Sequence, residues 1–179
     1  MGKEIVFTTT TGSSNCTKTE SQIGKTLHFN GLSRGMANDI FALAKAFLAI
    51  SEMTNKKLQK LCYYAKAWYL AIYDQNLVEE QFHAWVHGAV QPALYFQYKK
   101  YGFGAIPKVK YTADIPEEFM SFANEIYESY GHLTGDELER LNHQEEPWIK
   151  ARGNCKPWEN CNSVISEDDM KLFYRKMMV

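Results

Sequence analysis

This sequence has few of the features that build disulfide frameworks, zinc sites or membrane spans. It contains 4 cysteines among 179 residues, and no two of them have the Cys-x-x-Cys spacing of zinc and redox motifs. No apolar run approaches the ~20 residues that cross a bilayer, and we see no N-terminal apolar segment of a secretory signal. We therefore expect a cytoplasmic protein with reduced thiols, although a disulfide between Cys155 and Cys161 stays open.

Signatures of common catalytic and nucleic-acid-binding proteins are also missing. The chain has no glycine-rich phosphate loop, no HExxH and no GxSxG motif, which mark nucleotide, metalloprotease and hydrolase sites. Its net charge of −1 argues against a dedicated nucleic-acid binder, which usually has a basic pI and a clustered basic face. What the chain does have is a 14% share of aromatic residues, which serve cores and partner-binding surfaces about equally well.

One long helix is predicted to organise the chain, from Thr54 to Asp74. Its apolar residues recur at steps of three and four and therefore share one face of an α-helix, and Thr54 is a suitable N-cap. These apolar positions are Leu58, Leu61, Cys62, Ala65, Trp68, Tyr69 and Ile72. We expect other helices to dock on this face, and we place the lysines on the opposite, solvent side. Those lysines are Lys56, Lys57, Lys60 and Lys66.

The pattern outside this helix predicts a mainly α domain over residues 36–179. We expect a compact bundle of about six helices around the central long helix, with one or two short extended segments. Residues 1–35 differ in composition, since Thr, Ser, Gly and Asn fill 18 of the 35 positions. We predict a polar N-terminal extension that is disordered or holds one short strand, because its apolar surface is too small to offset the entropy of ordering.

Alternation and proline predict the elements between residues 82 and 102. Apolar and polar residues alternate from Phe82, which predicts a short extended piece that ends at Gly88. Pro92 should open a helix, because a first-turn proline loses no intrahelical hydrogen bond. This helix should end at Gly102, which has the position of a C-terminal capping glycine.

A capping box and a second proline predict the elements that follow residue 134. Thr134 and Glu137 form the capping box of a helix that starts at residue 135. This helix should end or kink at Glu146, because the residue before Pro147 is disfavoured in the helical conformation. Trp148 would then lie in a short turn.

Two histidines were considered as metal ligands. His83 and His87 have the spacing that places two side chains on one face of a helix. However, Gly88 and the alternation favour an extended backbone here, so we interpret them as ordinary loop histidines. We predict no metal site and no cofactor.

A polar cluster around Pro147 has the residue types of a catalytic site. It contains His143, Glu145, Glu146 and Arg152, and a hydrolase could use a histidine and a glutamate as acid and base. The alternative is a polar hinge that satisfies backbone groups where the helix ends. We favour the hinge and predict no catalytic residue, because the sequence places no nucleophile beside the cluster.

Charge is distributed unevenly along the chain. Residues 51–112 contain eight lysines and four acidic residues, whereas residues 113–146 contain ten acidic residues and the single basic residue Arg140. Much of this pattern is expected of solvated helix faces. An acidic zone of this size could also steer a basic protein partner, which favours protein binding over nucleic-acid binding.

Three stretches of the sequence resemble the Panacea domain, and they occur in the family's order. They are LQKLCYYAKAWYLAIY (58–73), FHAWVHGAVQPALYFQYKKYG (82–102) and LTGDELERLNHQEEPWIKARG (133–153). The resemblance extends from about Ala37 to Tyr174, which is nearly all of the predicted helical domain.

The chain departs from the family pattern at two positions. The family usually has Gly-Pro-Val-x-Pro where this chain has Gly-Ala-Val-Gln-Pro at residues 88–92. The family also usually has threonine before the histidine of its third motif, where this chain has Asn142 before His143. The loss of proline at Ala89 predicts a less rigid loop there.

The resemblance implies a mainly helical antitoxin that neutralises a cognate toxin by direct binding. Some family members act as adaptors that hand the toxin to an ATP-dependent protease, and others are described only as phage-associated proteins. The expected partner is therefore a toxin protein, without a membrane or nucleic-acid partner. Residues 1–35 show no helix-turn-helix pattern, so the sequence does not support DNA binding.

Six side chains are predicted to contact the partner, and two other functions stay open. The six are Trp85, His87, Tyr95, His143, Glu146 and Trp148. In the first alternative the protein is an enzyme that reverses a toxin's modification, with His143 and Glu146 as its acid and base. In the second it is a phage-encoded protein that binds a host protein and neutralises no toxin.

Overall fold

The computed structural model describes residues 39–178 and shows a mainly α fold, as predicted. The predicted extension over residues 1–35 and its short strand lie outside the described residues. The α-helices are α1 Ile40–Ile50, α2 Asn55–Tyr73, α3 Pro92–Tyr98, α4 Glu117–Tyr130, α5 Gly135–Asn142, α6 Glu146–Arg152 and α7 Glu167–Lys176. The strands are β1 Met53–Thr54, β2 His83–Trp85, β3 Gly88–Val90 and β4 Ala105–Ile106. They form two small antiparallel pairs, β1 with β4 and β2 with β3.

The central helix α2 lies where the sequence predicts it. The side chain of Thr54 accepts a hydrogen bond from the backbone N–H of Lys57, which caps the first turn. Helices α1, α4, α5 and α7 all pack against α2, and every residue from Leu58 to Ala71 is buried. The helix is therefore enclosed on all sides, and its aromatic residues form the core of the domain.

Two of the lysines on α2 are buried, so the prediction of a solvent-facing lysine side is wrong for them. Lys60 is 1% exposed and Lys66 is 0% exposed. The Lys60 ammonium donates to the carbonyl of Ala89 at 2.9 Å. The Lys66 ammonium donates to the carbonyl of Glu80 at 2.9 Å and lies 2.6 Å from the Glu167 carboxylate. Both ammonium groups therefore have hydrogen-bond partners from neighbouring segments, and for Lys66 the Glu167 carboxylate also offsets the desolvation of the charge.

Aromatic rings from α2, α4 and α7 fill the interior. The rings of Tyr64 and Tyr130 are stacked with centroids 4.4 Å apart, and the indole N–H of Trp68 donates to the Tyr130 hydroxyl at 2.9 Å. Tyr174 of α7 packs against Trp68 with ring centroids 5.0 Å apart. Aromatic side chains bury more area than any others, so the contact between α2 and α7 contributes strongly to stability.

Two predicted boundaries around the third motif are wrong. Helix α5 ends at Asn142 and not at Glu146, and α6 begins at Glu146 with Pro147 in its first turn. Trp148 therefore lies in a helix and not in a turn. The physical reason is that proline disfavours helix before it but fits the first turn of a new helix. This extra helix accounts for seven α-helices among the described residues where about six were predicted.

The extended segment before Pro92 does not end at Gly88. It forms a hairpin, in which Trp85 pairs with Gly88 across the turn at residues 86–87 and β3 continues to Val90. Gly88 has φ +92°, which side chains other than glycine rarely adopt. The predicted helix start at Pro92 is correct, and Gly102 follows a 3-10 turn, Lys99–Tyr101, that extends α3.

Candidate functional site

Both backbone polar groups of Ala89 are held by buried side chains. The N–H of Ala89 donates to Oδ1 of Asn142 at 2.7 Å, and its carbonyl accepts from the Lys60 ammonium at 2.9 Å. Gly88 allows this approach, because a Cβ there would lie 2.7 Å from Cε of Lys60. The hairpin is thereby fixed between α2 and α5. Ala89 is fully buried, so the position where a less rigid loop was predicted is a tightly packed strand.

A second pair of hydrogen bonds joins the hairpin to α2 and starts α3. The backbone N–H of Gln91 donates to Oε1 of Gln59 at 2.8 Å. The side chain of Gln91 in turn accepts from the N–H of Leu94 at 2.7 Å, which caps α3 just before Pro92. The sequence from Gly88 to Pro92 therefore supplies the contacts that hold this region in place.

Asn142 also connects the hairpin to a buried carboxyl group. Its amide donates to Oε2 of Glu145 at 3.0 Å, and the hydroxyl of Tyr174 donates to the same oxygen at 2.8 Å. Glu145 is 5% exposed, and this burial raises its pKa to about 7. In the polar cluster around Pro147 the carboxyl with the raised pKa is thus that of Glu145, and its neighbour Glu146 is exposed.

Glu145 is expected to make stability depend on pH. Its pKa is about 7 in the folded protein against 4.5 for the ordinary group, so the stabilisation is complete below pH 4.5 and is lost as pH rises through 7. In Glu145→Gln this dependence should disappear. Relative to wild type, the variant should gain about 2–3 kcal/mol of unfolding free energy between mildly acidic and alkaline pH. Urea unfolding of both proteins across this range measures the difference.

Comparison of wild type with Glu145→Gln separates the pH dependence caused by Glu145 from that of a second buried group, Lys60. Burial lowers the pKa of Lys60 to about 7, which gives the opposite trend, since its contribution is lost as pH falls through 7. Lys60 is present in both proteins, so its effect cancels in the difference. A difference that stays constant with pH would contradict the prediction for Glu145.

Three of the six predicted contact residues line one groove. Trp85 lies at the end of β2, and its indole N–H donates to Oδ1 of Asn162 at 2.9 Å. The ring of Tyr95 packs against it with centroids 5.3 Å apart. His87 is exposed in the hairpin turn, and its Nδ1 lies 3.0 Å from a carboxylate oxygen of Glu139.

The other three predicted contact residues lie outside this groove. Trp148 is buried, stacks on His143 with centroids 4.2 Å apart, and donates its indole N–H to the carbonyl of Trp85 at 3.2 Å. The stacked rings of His143 and Trp148 therefore hold the hairpin in position through this hydrogen bond. Glu146 faces the ammonium groups of Lys150 and Lys176 at 3.9 and 3.5 Å. No hydrogen bond joins His143 to Glu146 in the part of the chain that the structure describes.

We name the groove that Trp85, His87 and Tyr95 line the aromatic groove. It has a volume of about 970 Å³ and lies between the start of α2, the hairpin turn, α3 and two loops. Its aromatic residues are Trp85, Tyr95, Phe96, Phe103 and Trp158. Phe103 is fully exposed and Trp158 is 75% exposed, which is unusual for large apolar side chains in a folded domain.

Three of the groove's aromatic residues were not predicted from the sequence. Phe96 lies on the outer side of α3, and Phe103 and Trp158 lie in irregular segments outside the helices and strands. Large aromatic side chains flanked by glycine or by charged residues, as in Gly-Phe-Gly at residues 102–104, were the available signal.

The loop that carries Trp158 is held by Arg152 at the end of α6. The guanidinium donates to the carbonyl of Ala84 at 3.2 Å, to that of Glu159 at 2.9 Å and to that of Lys156. Cys155 and Cys161 flank the loop as free thiols with sulfur atoms 2.8 Å apart. Arg152 therefore anchors the loop of Trp158, which forms one wall of the groove, to the β2–β3 hairpin, which forms another.

Much of the acidic zone is engaged within the chain. Asp136 and Glu139 each lie 2.7 Å from the Lys56 ammonium, and Asp114 lies 2.7 Å from that of Lys45. These carboxylates are therefore already partly neutralised, which reduces the field that the zone presents to a basic partner.

Residues 39–178 contain neither a metal-binding cluster nor a helix that could cross a membrane. No group of three or more His, Cys, Asp or Glu side chains lies close enough to hold a metal ion. None of the described helices is both long and apolar enough to cross a membrane.

The described chain is a mainly helical domain in which one enclosed helix supports a hairpin and an exposed aromatic groove. Residues 58–149 match the family model of the antitoxin SocA-like, Panacea domain. This match covers about half of the chain, from α2 into α6, and the protein belongs to that family. Searches of curated proteins and of solved structures found no match.

Proposed function

We propose that this protein is a cytoplasmic antitoxin that neutralises a cognate toxin by binding it through the aromatic groove. Membership of the SocA-like antitoxin family supports a protein partner. The observation that carries the choice of surface is the cluster of five aromatic side chains around one groove. Interface hot spots are enriched in tryptophan and tyrosine, and exposed apolar clusters of this kind mark interaction sites.

Five of the six residues predicted from sequence have one of two roles under this proposal. Trp85, His87 and Tyr95 contact the toxin directly, because they line the groove. His143 and Trp148 act by holding the hairpin in position, since the Trp148 indole bonds to the backbone of Trp85. Glu146 lies beside Lys176 and takes no part in contact.

Truncation of two exposed aromatic residues tests the proposal. Phe103→Ala with Trp158→Ala should weaken binding of the toxin by about tenfold or more, because hot-spot truncations remove more than 1 kcal/mol each. The toxin to use is the product of the gene beside this one. Isothermal titration calorimetry measures affinity, and growth of cells that express both proteins measures neutralisation.

A matched control removes exposed apolar side chains outside the groove. Tyr111 and Leu172 are each 56% exposed, and Tyr111→Ala with Leu172→Ala should leave binding and growth rescue unchanged. If both double variants protect cells as well as wild type does, the groove is not the toxin-binding surface. If the toxin is degraded in cells that express wild type, the protein delivers the toxin to a protease and does not act only by occupying its surface.

The enzyme alternative has a separate test. Catalysis by His143 and Glu146 requires the Glu146 carboxylate, whereas binding through the groove does not. Glu146→Gln should therefore retain full growth rescue. Loss of rescue by this variant with toxin binding intact would favour the enzyme.

A further inference from the structure

The lining of the aromatic groove contains basic side chains and no carboxylate among the described residues. Its lining contains Lys56, Lys60 and Lys99 together with His87, and no aspartate or glutamate is among the lining residues that the structure describes. Lys156 adds a fourth ammonium at the rim, 6.0 Å from the ring centroid of Trp158. The groove is therefore both aromatic and basic in a protein with a net charge of −1.

Two of these lysines are available to a ligand. The Lys99 ammonium lies 5.0 Å from the ring centroid of Phe96, and Lys99 and Lys156 are both exposed. Neither ammonium has an ion-pair partner among residues 39–178. A carboxylate bound at either ammonium would gain an attractive charge without displacing an existing ion pair.

The basic rim is short, because carboxylates lie at both ends. At one end the Glu159 carboxylate accepts from the backbone N–H of Lys156 at 3.1 Å, and at the other end two carboxylates surround Lys56. Lys56 is already paired with Asp136 and Glu139, both at 2.7 Å. A long polyanion that ran along the groove would meet these acidic residues and be repelled. A short acidic segment needs to contact only Lys99 and Lys156 and can avoid Asp136 and Glu139, which favours a peptide over a nucleic acid.

We infer that the aromatic groove binds a short acidic segment of the toxin that also carries apolar side chains. The carboxylates of this segment pair with Lys99 and Lys156, and its apolar side chains pack on Phe103 and Trp158. This inference rests on the proposed function, because it describes what part of the toxin the groove recognises.

Charge reversal at the rim tests the inference. Lys99→Glu with Lys156→Glu should weaken toxin binding by about tenfold or more, as measured by calorimetry with the full chain. Affinity of wild type should fall as salt rises, and this salt dependence should be smaller in the variant. Synthetic peptides that cover the toxin sequence should compete with the toxin only where they are acidic.

Lys108→Glu with Lys110→Glu is the matched control. These two lysines are exposed, lie outside the groove lining and have no ion-pair partner among the described residues, so the change in net charge is identical. The control should bind the toxin like wild type. Circular dichroism verifies folding, and Lys99→Gln with Lys156→Gln replaces the reversal if the latter unfolds.

The outcomes separate this inference from the proposed function. If the toxin binds wild type and the groove-lysine variant equally well, the inference is wrong and the proposed function stands. If the toxin binds neither wild type nor any variant, the proposed function fails and the inference fails with it. If a short oligothymidine binds wild type and this binding is lost on reversal of Lys99 and Lys156, the groove is a nucleic-acid site and the inference is overturned.

Discussion

Replacing Asn142 with Ala is expected to lower the free energy of unfolding by about 3–4 kcal/mol. Asn142 is fully buried and accepts from the N–H of Ala89 while donating to Glu145. The replacement leaves a buried backbone donor without an acceptor and removes a donor from a buried carboxyl group. An orphaned buried polar group costs about 1–3 kcal/mol, and more when the partner is charged. Urea denaturation at fixed pH measures the change.

The control for Asn142 is an asparagine with a similar bond in an exposed place. The Asn124 amide donates to the carbonyl of Met120 at 2.8 Å and is exposed, so Asn124→Ala should change stability by no more than about 0.5 kcal/mol. If Asn142→Ala also costs no more than about 0.5 kcal/mol, its buried hydrogen bonds contribute little to stability.

A double-mutant cycle attributes part of the effect to Ala89. Proline has no N–H, so Ala89→Pro removes the donor that Asn142 satisfies. In the presence of Ala89→Pro, the loss caused by Asn142→Ala should therefore be smaller by about 1 kcal/mol or more. The two positions are also those at which this chain departs from the pattern of the Panacea domain that it resembles. They contact each other directly, which gives the pair of departures a physical connection.

Replacing Lys66 with Ala is expected to destabilise the protein by about 3–5 kcal/mol. Its ammonium is fully buried, with Glu167 at 2.6 Å and the carbonyl of Glu80 at 2.9 Å. The change removes both interactions and leaves a cavity inside α2's packing. Lys66→Met should lose less, because it fills the same volume and only the polar partners are left unsatisfied.

Lys45 provides the exposed counterpart of this ion pair. Its ammonium lies 2.7 Å from Asp114, but the side chains are 47% and 56% exposed. Lys45→Ala should cost no more than about 1 kcal/mol, because water screens exposed pairs. If Lys45→Ala and Lys66→Ala have equal midpoints in urea with unchanged m values, burial does not determine the strength of these pairs.

Hydrophobic periodicity and caps were sufficient to predict most of the fold. The long helix α2, the capping box at Thr134 and the helix start at Pro92 all follow from local rules, and each is observed. Local rules fail where distant segments decide the outcome. The helical pattern of the sequence places Lys66 on the solvent side of α2. Its burial depends on the distant segments of Glu80 and Glu167, which the periodicity of α2 does not reveal.

The candidate site was predictable only in part, for a similar reason. Trp85 and Tyr95 lie in a short stretch with a recognisable pattern, and the structure brings them into one groove. Phe103 and Trp158 come from irregular loops that are far apart in sequence, and their approach depends on the tertiary fold. Aromatic residues in polar loops therefore merit attention even without a motif.

The position of α7 matters for work with fragments of this chain. The family model ends at residue 149, before the loop of Trp158 and before Tyr174, which packs on Trp68 and donates to Glu145. A protein cut at that residue would expose the rings at the centre of the domain to water and lose one groove wall. The segment that matches the family model is therefore shorter than the folded domain, and fragments of the protein should extend to the end of α7.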